Sequence, residues 1–187
     1  KLNFIEYDFL VIIDNYDKKV FLPKNCKGSL LILMEPSNIK KYRSKPLSQF
    51  NYVISSQTKL SAKNIVLSQL GYPWLNLKTF KDFELNNRYK KTKDLCIILS
   101  NKTHTIGHKK RYEFYLKLKL LFGEKLDSYG RGINHFSDKS EILKQYKYSI
   151  AIENSDLPFN ITEKITDCFC TLTIPFYFGP KNIDMYY

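Results

Sequence analysis

The chain has 187 residues, of which 43% are hydrophobic and 26% charged, a balance that excludes a disordered tail and a fibrous protein. Thirty Lys and Arg against eighteen Asp and Glu give a net charge of +12, which favours an anionic partner: nucleic acid, a phosphate-bearing metabolite or an acidic membrane surface. No apolar run reaches the roughly 18 residues of a membrane helix, no signal-peptide pattern opens the chain, and Lys1 in place of Met leads us to expect a piece of something longer.

In chain order, Phe9 to Ile13 (FLVII) predicts a buried strand closed by Asp14-Asn15, Leu30 to Met34 (LLILM) a second, and Tyr52 to Ser55 (YVIS) a third. The polar, basic run Asn86 to Lys93 (NNRYKKTK) is the candidate boundary, and it predicts domains over 1–88 and 89–187. Leu95 to Leu99 (LCIIL) follows as a strand ended by Ser100-Asn101. Lys109 to Phe122 is expected as a helix with Phe114, Leu118 and Leu121 on its core stripe, stopped by Gly123. Lys139 to Gln145 predicts a short helix and Ser149 to Ile152 a strand. Thr162 to Phe169 predicts a helix facing Ile165 and Phe169 inward, and Thr173 to Phe178 a final strand. Continuous apolar strands alternating with helices indicate an α/β class with parallel sheets buried on both faces.

In such sheets ligands gather beyond the carboxyl ends of the strands, and three loops there carry useful groups. Ser100-Asn101 precedes Arg111, expected at the start of the long helix, where a guanidinium can fork onto a phosphate. Glu153-Asn154-Ser155 follows the strand ending at Ile152. Thr162-Glu163-Lys164 then opens a helix, with Thr162 as its expected N-cap and a first turn that favours an anion. Blander readings stand beside these: Arg111 as one of the solvated Lys109-Lys110-Arg111 cluster, and Glu163 and Lys164 as surface charges. Cys26, Cys96, Cys168 and Cys170 show neither a disulfide framework nor zinc spacing, and Cys168 and Cys170 read as small apolar fillers. His104 and His108 lack a third ligand, and Gly130-Arg131-Gly132 reads as a turn. No Walker A loop, GxSxG elbow or DxD motif is present in the sequence.

Taken together, Tyr146-Lys147-Tyr148-Ser149-Ile150-Ala151-Ile152-Glu153-Asn154-Ser155, then Ile161-Thr162-Glu163-Lys164-Ile165, then Ile174-Pro175-Phe176-Tyr177-Phe178-Gly179 resemble the donor-binding signature of the α-1,3-fucosyltransferase family, whose members read approximately YKFxLxFENS, YxTEKIxDA and VPVYxG. Ser100-Asn101 with Arg111 to Tyr115, and the glycine turn at Gly130, fall in the same order as in the family. The resemblance covers Leu95 to Gly179. The first half is only thinly similar, through Leu31 to Ser37 and Phe50 to Ile54. Asn160 stands where bacterial members often carry an aromatic residue.

The resemblance implies a GT-B type fold, with two Rossmann-like parallel-sheet domains facing across a cleft, here short at one or both ends. It implies inverting transfer of L-fucose from GDP-fucose to a hydroxyl of a glycan acceptor, in α-1,3 linkage, with no metal or other cofactor. Arg111 and Lys164 would take the diphosphate and Glu163 a ribose hydroxyl, with Asn101, Glu153 and Asn154 as further donor contacts. Glu35 would be the catalytic base, with Asp14 as its competitor. The expected partners are a nucleotide sugar and a glycan, without nucleic acid and with peripheral membrane contact. Cysteine usage, and two sequons lying inside the ligand-contacting segments, favour the cytoplasm over a secretory lumen. The alternatives are a related transferase using another nucleotide sugar and a basic nucleic-acid-binding module.

Overall fold

The computed structural model describes residues 7–14, 17–70 and 89–187. The chain divides into two compact units, 1–70 and 71–187. Residues 86–88 of the expected boundary lie outside the described residues, and Lys93 at its far end already begins a strand.

The first unit is a four-stranded parallel sheet of β1 (Phe9–Ile13), β2 (Gly28–Leu33), β3 (Tyr52–Ser55) and β4 (Ile65–Leu67), paired in chain order. Parallel strands that advance steadily across a sheet, joined by right-handed crossovers, carry every connection on one face. That face is the core: Leu31, Leu33 and Val53 are fully buried, packed with Tyr42, Leu47 and Phe50 from the β2–β3 connection. On the opposite face the side chains of Phe9, Val11 and Ile13 are 66%, 55% and 58% exposed. The expectation that β1 is buried on both sides therefore fails, because no connection of this unit crosses that face among the described residues. Asn64 fastens the core connection by donating its amide to the carbonyls of Leu47 and Phe50 at 3.0 and 2.8 Å.

The second unit holds β5 (Lys93–Ile98), α1 (Ile106–Phe122), β6 (Leu126–Tyr129), α2 (Lys139–Leu143), β7 (Tyr146–Ile152), α3 (Glu163–Cys170) and β8 (Ile174–Phe178). Its strands are all parallel, in the order β6-β5-β7-β8. Central β5 is buried on both faces. Ile97 joins Leu99, Tyr115, Leu126 and Ile150 in the core that includes α1, and Cys96 joins Leu143, Tyr146, Ala151 and Cys168 in the core that includes α2 and α3. From β5 the chain moves outward to β6, and from β7 it moves the other way to β8. The loops leaving β5 and β7 therefore diverge, which makes their carboxyl ends the switch point where a ligand crevice forms in such sheets.

Helix α1 departs from the sequence reading in two ways. Thr105 caps it by accepting from the His108 N–H at 3.2 Å, so it begins three residues before Lys109 and Arg111 lies more than a turn inside it. Its buried residues are Arg111 and Tyr115, with Tyr112 and Leu118 packed against the core, whereas Leu121 is 76% exposed. A helix with apolar residues on almost every side gives no unique stripe, and the neighbouring 111/115/118 row won. Gly123 ends α1 at a φ of 54°, as expected. In α3, Ile165 faces the core as expected, but Phe169 is 41% exposed and its ring lies tilted against Tyr187, with centroids 5.2 Å apart.

Candidate donor-binding site

The site is assembled on the carboxyl ends of β5 and β7 and the first turn of α3. Glu153 leaves β7 with its N–H donating to the Phe178 carbonyl at 2.8 Å, and its side chain is wholly buried. The carboxylate accepts from the Thr162 N–H at 2.8 Å, the Thr162 hydroxyl at 2.7 Å, Lys164 Nζ at 3.1 Å and, more distantly, the Tyr177 hydroxyl at 3.4 Å. Burial and the neighbouring Glu153 charge push the Tyr177 phenol far up, so it stays a neutral donor. Both Glu153 oxygens are thus occupied within the chain, which makes Glu153 a residue that holds the α3 entry in place rather than one turned outward to a ligand.

This corrects the expected cap. Thr162 stands at the N-cap of α3, but its side chain makes no cap bond. Its hydroxyl donates to Glu153 and accepts from Lys164 Nζ at 2.8 Å, because a buried carboxylate is the stronger acceptor and must be satisfied first. The first-turn N–H groups of α3 are therefore not taken up by that hydroxyl. Lys164, 18% exposed, also lies 3.4 Å from Glu163. Burial works against its charge, but the Glu153 and Glu163 carboxylates more than offset this and hold the ammonium above the ordinary lysine value. For Glu163 burial favours the neutral acid, and Lys164 with Lys139 overcomes it, keeping the carboxyl below its ordinary value.

Arg111 is the least satisfied group of the site. It is only 8% exposed, and its Nε has no hydrogen-bond partner among the described residues. Burial lowers its pKa against the pull of Glu153 and Glu163, so the guanidinium lies within electrostatic reach of both carboxylates. The reading of Arg111 as a solvated member of a basic cluster is overturned by that burial. A guanidinium brought this deep with an unused N–H is costly unless a ligand completes it.

Two glycines set the approach of these loops. At Gly107 a Cβ would fall 1.8 Å from the Asn154 carbonyl oxygen, so α1 begins directly against the backbone after β7. At Gly132, with φ of +78°, a Cβ would fall 2.2 Å from Asn101 Nδ2, so the turn after β6 lies on the Asn101 side chain. The Asn101 N–H donates to the Arg131 carbonyl at 3.1 Å while its side chain is exposed at the sheet edge. Asn154 is half-buried in the loop after β7. Asn160, at the departure from the family pattern, is 3% exposed and donates its amide to the Ser155 carbonyl at 3.3 Å, holding the loop instead of presenting a ring.

In the first unit, the two acidic candidates separate cleanly. Glu35 follows β2, its N–H donating to the Tyr42 hydroxyl at 3.2 Å and its carbonyl accepting from Gln57 Nε2 at 2.8 Å. Its carboxylate makes no hydrogen bond or ion pair with the described residues. Asp14, at a φ of 57°, spends its carboxylate on Lys40 at 2.7 Å, on the Met34 N–H at 3.3 Å and on the Tyr42 hydroxyl. Burial would raise its pKa, but the Lys40 and Tyr42 bonds hold it below the ordinary value.

Of the other sequence candidates, His108 is drawn into the α1 cap, its Nδ1 2.8 Å from the Thr105 hydroxyl. Cys168 is buried as an apolar filler and Cys170 is half-buried. Gly130 and Gly132 form the expected turn, with the Ile133 N–H bonded to the Gly130 carbonyl at 3.0 Å. Lys139 was missed as part of this site. Its contact is with Asp167, four residues after Glu163, and the sequence holds no local signal that pairs residues 28 apart.

Two parallel sheets, the second with a cluster of charged groups at its carboxyl edge, define the chain as an α/β protein with a candidate site for an anionic ligand. Solved α1,3-fucosyltransferase structures share its fold. One, with GDP, aligns at a TM-score of 0.55 and 19% identity over 94% of this chain and 57% of that chain. Another, with GDP-fucose, aligns at 0.55 and 20% identity over 92% and 56%. The expected GT-B class therefore holds for the two sheet units. The family model for glycosyltransferase family 10 (fucosyltransferase), C-terminal part, matches residues 88–186, and the chain belongs to that family. A fucosyltransferase-like protein of Arabidopsis thaliana is 40% identical over 63 residues, which are 32% of this chain and 12% of that protein. The alpha-(1,3)-fucosyltransferase FucT of Helicobacter pylori is 39% identical over 46 residues, 25% of this chain and 10% of that protein. The chain thus spans a little over half of the solved relatives.

Proposed function

We propose that the protein transfers L-fucose from GDP-fucose to a hydroxyl of a glycan, with inversion and in α-1,3 linkage. The observation that carries this reading is the buried Arg111, with its unpartnered Nε, beside the Lys164–Glu163 turn at the switch point of the second sheet. Structural neighbours solved with GDP and with GDP-fucose support the nucleotide. In the proposed reaction the acceptor oxygen bonds to the anomeric carbon as that carbon's bond to the diphosphate oxygen breaks. The electron pair leaves on GDP, where Arg111 and Lys164 stabilise it, and the acceptor proton passes to Glu35. Glu163 accepts from a ribose hydroxyl, and Asn101 and Asn154 line the same edge.

The test is calorimetry with GDP. Removing one charge-assisted phosphate contact costs about 1.5–3 kcal/mol, so Arg111→Ala and Lys164→Ala should each weaken GDP binding roughly 10- to 150-fold. Unchanged affinity in both variants would sink the placement. A thermal-shift panel of GDP, UDP, CMP and ADP sugars separates a fucosyltransferase from a transferase with another donor, because only the bound nucleotide raises the melting temperature.

The proposal includes independence from divalent metal. The cationic work falls to Arg111, Lys164 and the first turn of α3, and the sequence offers no DxD motif to hold a metal against a diphosphate. Transfer measured after exhaustive chelation is expected to continue at the untreated rate. Loss of activity that returns only with added Mn²⁺ or Mg²⁺ would refute this.

A further inference from the structure

Beyond the groups assigned to the donor, one buried ion pair borders the same site without a role. Lys139 is the first residue of α2, following the N-cap Asp138, whose carboxylate accepts from the Ser140 N–H at 2.8 Å. From there its ammonium bonds the carboxylate of Asp167, whose side chain is fully buried on α3, while Lys139 itself is 19% exposed. Asp167 stands one helical turn beyond Glu163 and three residues beyond Lys164, so a grip on Asp167 fixes the rotation of the turn that carries both. Lys139 and Lys164 also line one small cavity, together with Leu143, Ser149 and Cys168. The charges gathered around this turn are Arg111 from α1, Lys139 from α2, Glu153 from the end of β7, and Glu163, Lys164 and Asp167 from α3. Three cations stand against three carboxylates.

We propose that Lys139 is a positioning residue of the donor site: through its ion pair with Asp167 it locks α2 to α3 and so places Glu163 and Lys164 for the nucleotide diphosphate. The proposal rests on reading this edge as a GDP site. Two further observations fit it. Lys139 helps to keep the Glu163 carboxyl ionised against its burial. The Asp167 side chain has no exposure to water, so deletion of Lys139 alone would take an ion pair from a fully buried carboxylate, and the two are best changed together.

The experiment uses the full chain and GDP. Lys139→Gln with Asp167→Asn removes both charges and keeps hydrogen-bonding groups, and Lys139→Met with Asp167→Leu replaces the pair by apolar groups of similar size, an exchange proteins often tolerate. The expected result is at least one pair variant that melts near the parental temperature yet binds GDP tenfold or more weakly, with Lys139→Arg within about threefold of the parent because it restores the ion pair. Parental GDP affinity in either folded pair variant would overturn the proposal, as would failure of both to fold, which would make the pair a requirement for folding alone. A parental chain that binds no GDP at all would overturn the donor-site reading and this proposal together, and the parental measurement therefore separates the two failures.

Discussion

Glu35→Gln is expected to slow fucose transfer by about 10²- to 10⁴-fold while leaving GDP affinity unchanged, the pattern of a lost general base. The expectation comes from the contrast between two acids that close adjacent strands. Glu35 has its backbone fixed on both sides, by the Tyr42 hydroxyl and the Gln57 amide, yet its carboxylate is uncommitted among the described residues. A base needs that combination of a fixed position and a lone pair not already in use. Asp14 has the opposite arrangement: its carboxylate is bound by Lys40, Tyr42 and the Met34 N–H, which lowers its proton affinity as well as its availability. Asp14→Asn should therefore act on stability, through lost charge-assisted bonds each worth about 1.5–3 kcal/mol, and leave the chemical step largely intact. Transfer rate, melting temperature and GDP affinity measured on both variants decide the matter. A Glu35→Gln enzyme working at the parental rate would return the role to Asp14 if Asp14→Asn were inactive but folded.

How much of this was legible beforehand depended on whether a residue's neighbours were close in sequence. The apolar runs at Phe9–Ile13, Tyr52–Ser55 and the centre of β5 announced their strands, since a strand under a helix needs little but β-branched and aliphatic side chains. Strand β6 went unread because its sequence, Leu126-Asp127-Ser128-Tyr129, is half polar, as an edge strand can be. Strand β4 escaped because three residues make no pattern. The carboxyl-edge loops were found from topology and from the family resemblance. The partners of the groups within them were not, because Glu153 with Thr162 and Lys139 with Asp167 are contacts made only when helices dock. A start at Lys109 places Arg111 in the first turn of α1, reaching over the sheet edge. The Thr105 cap moves that start upstream, so Arg111 lies more than a turn inside α1 on its buried 111/115/118 row, with an Nε that has no partner among the described residues.

Glu153→Ala is expected to be the most destabilising single change in the second unit. The carboxylate is fully buried and serves four donor groups, the Thr162 N–H and hydroxyl, Lys164 and Tyr177, so its removal strands a lysine that is itself mostly buried. Breaking a buried pair by deleting one partner typically costs about 3–5 kcal/mol. For a chain of this size each kcal/mol corresponds to roughly 2–4 °C, so the melting temperature should fall by about 6–20 °C. Lys164→Ala should cost less, because Glu153 keeps the Thr162 and Tyr177 donors. The double variant should then be more stable than the sum of the two losses predicts, by the coupling of about 0.5–3 kcal/mol typical of groups in direct contact. The sign of the pH dependence follows from the raised pKa of Lys164. A cation held more tightly in the folded state contributes fully below the ordinary lysine value, and that contribution disappears as the pH climbs through the raised one. The destabilisation by Glu153→Ala should therefore be complete at neutral pH and shrink only in strong alkali. A Glu153→Ala chain that melts within 2 °C of the parent at neutral pH would show that the carboxylate does not hold the α3 entry, and with it would go the account of how Lys164 is placed.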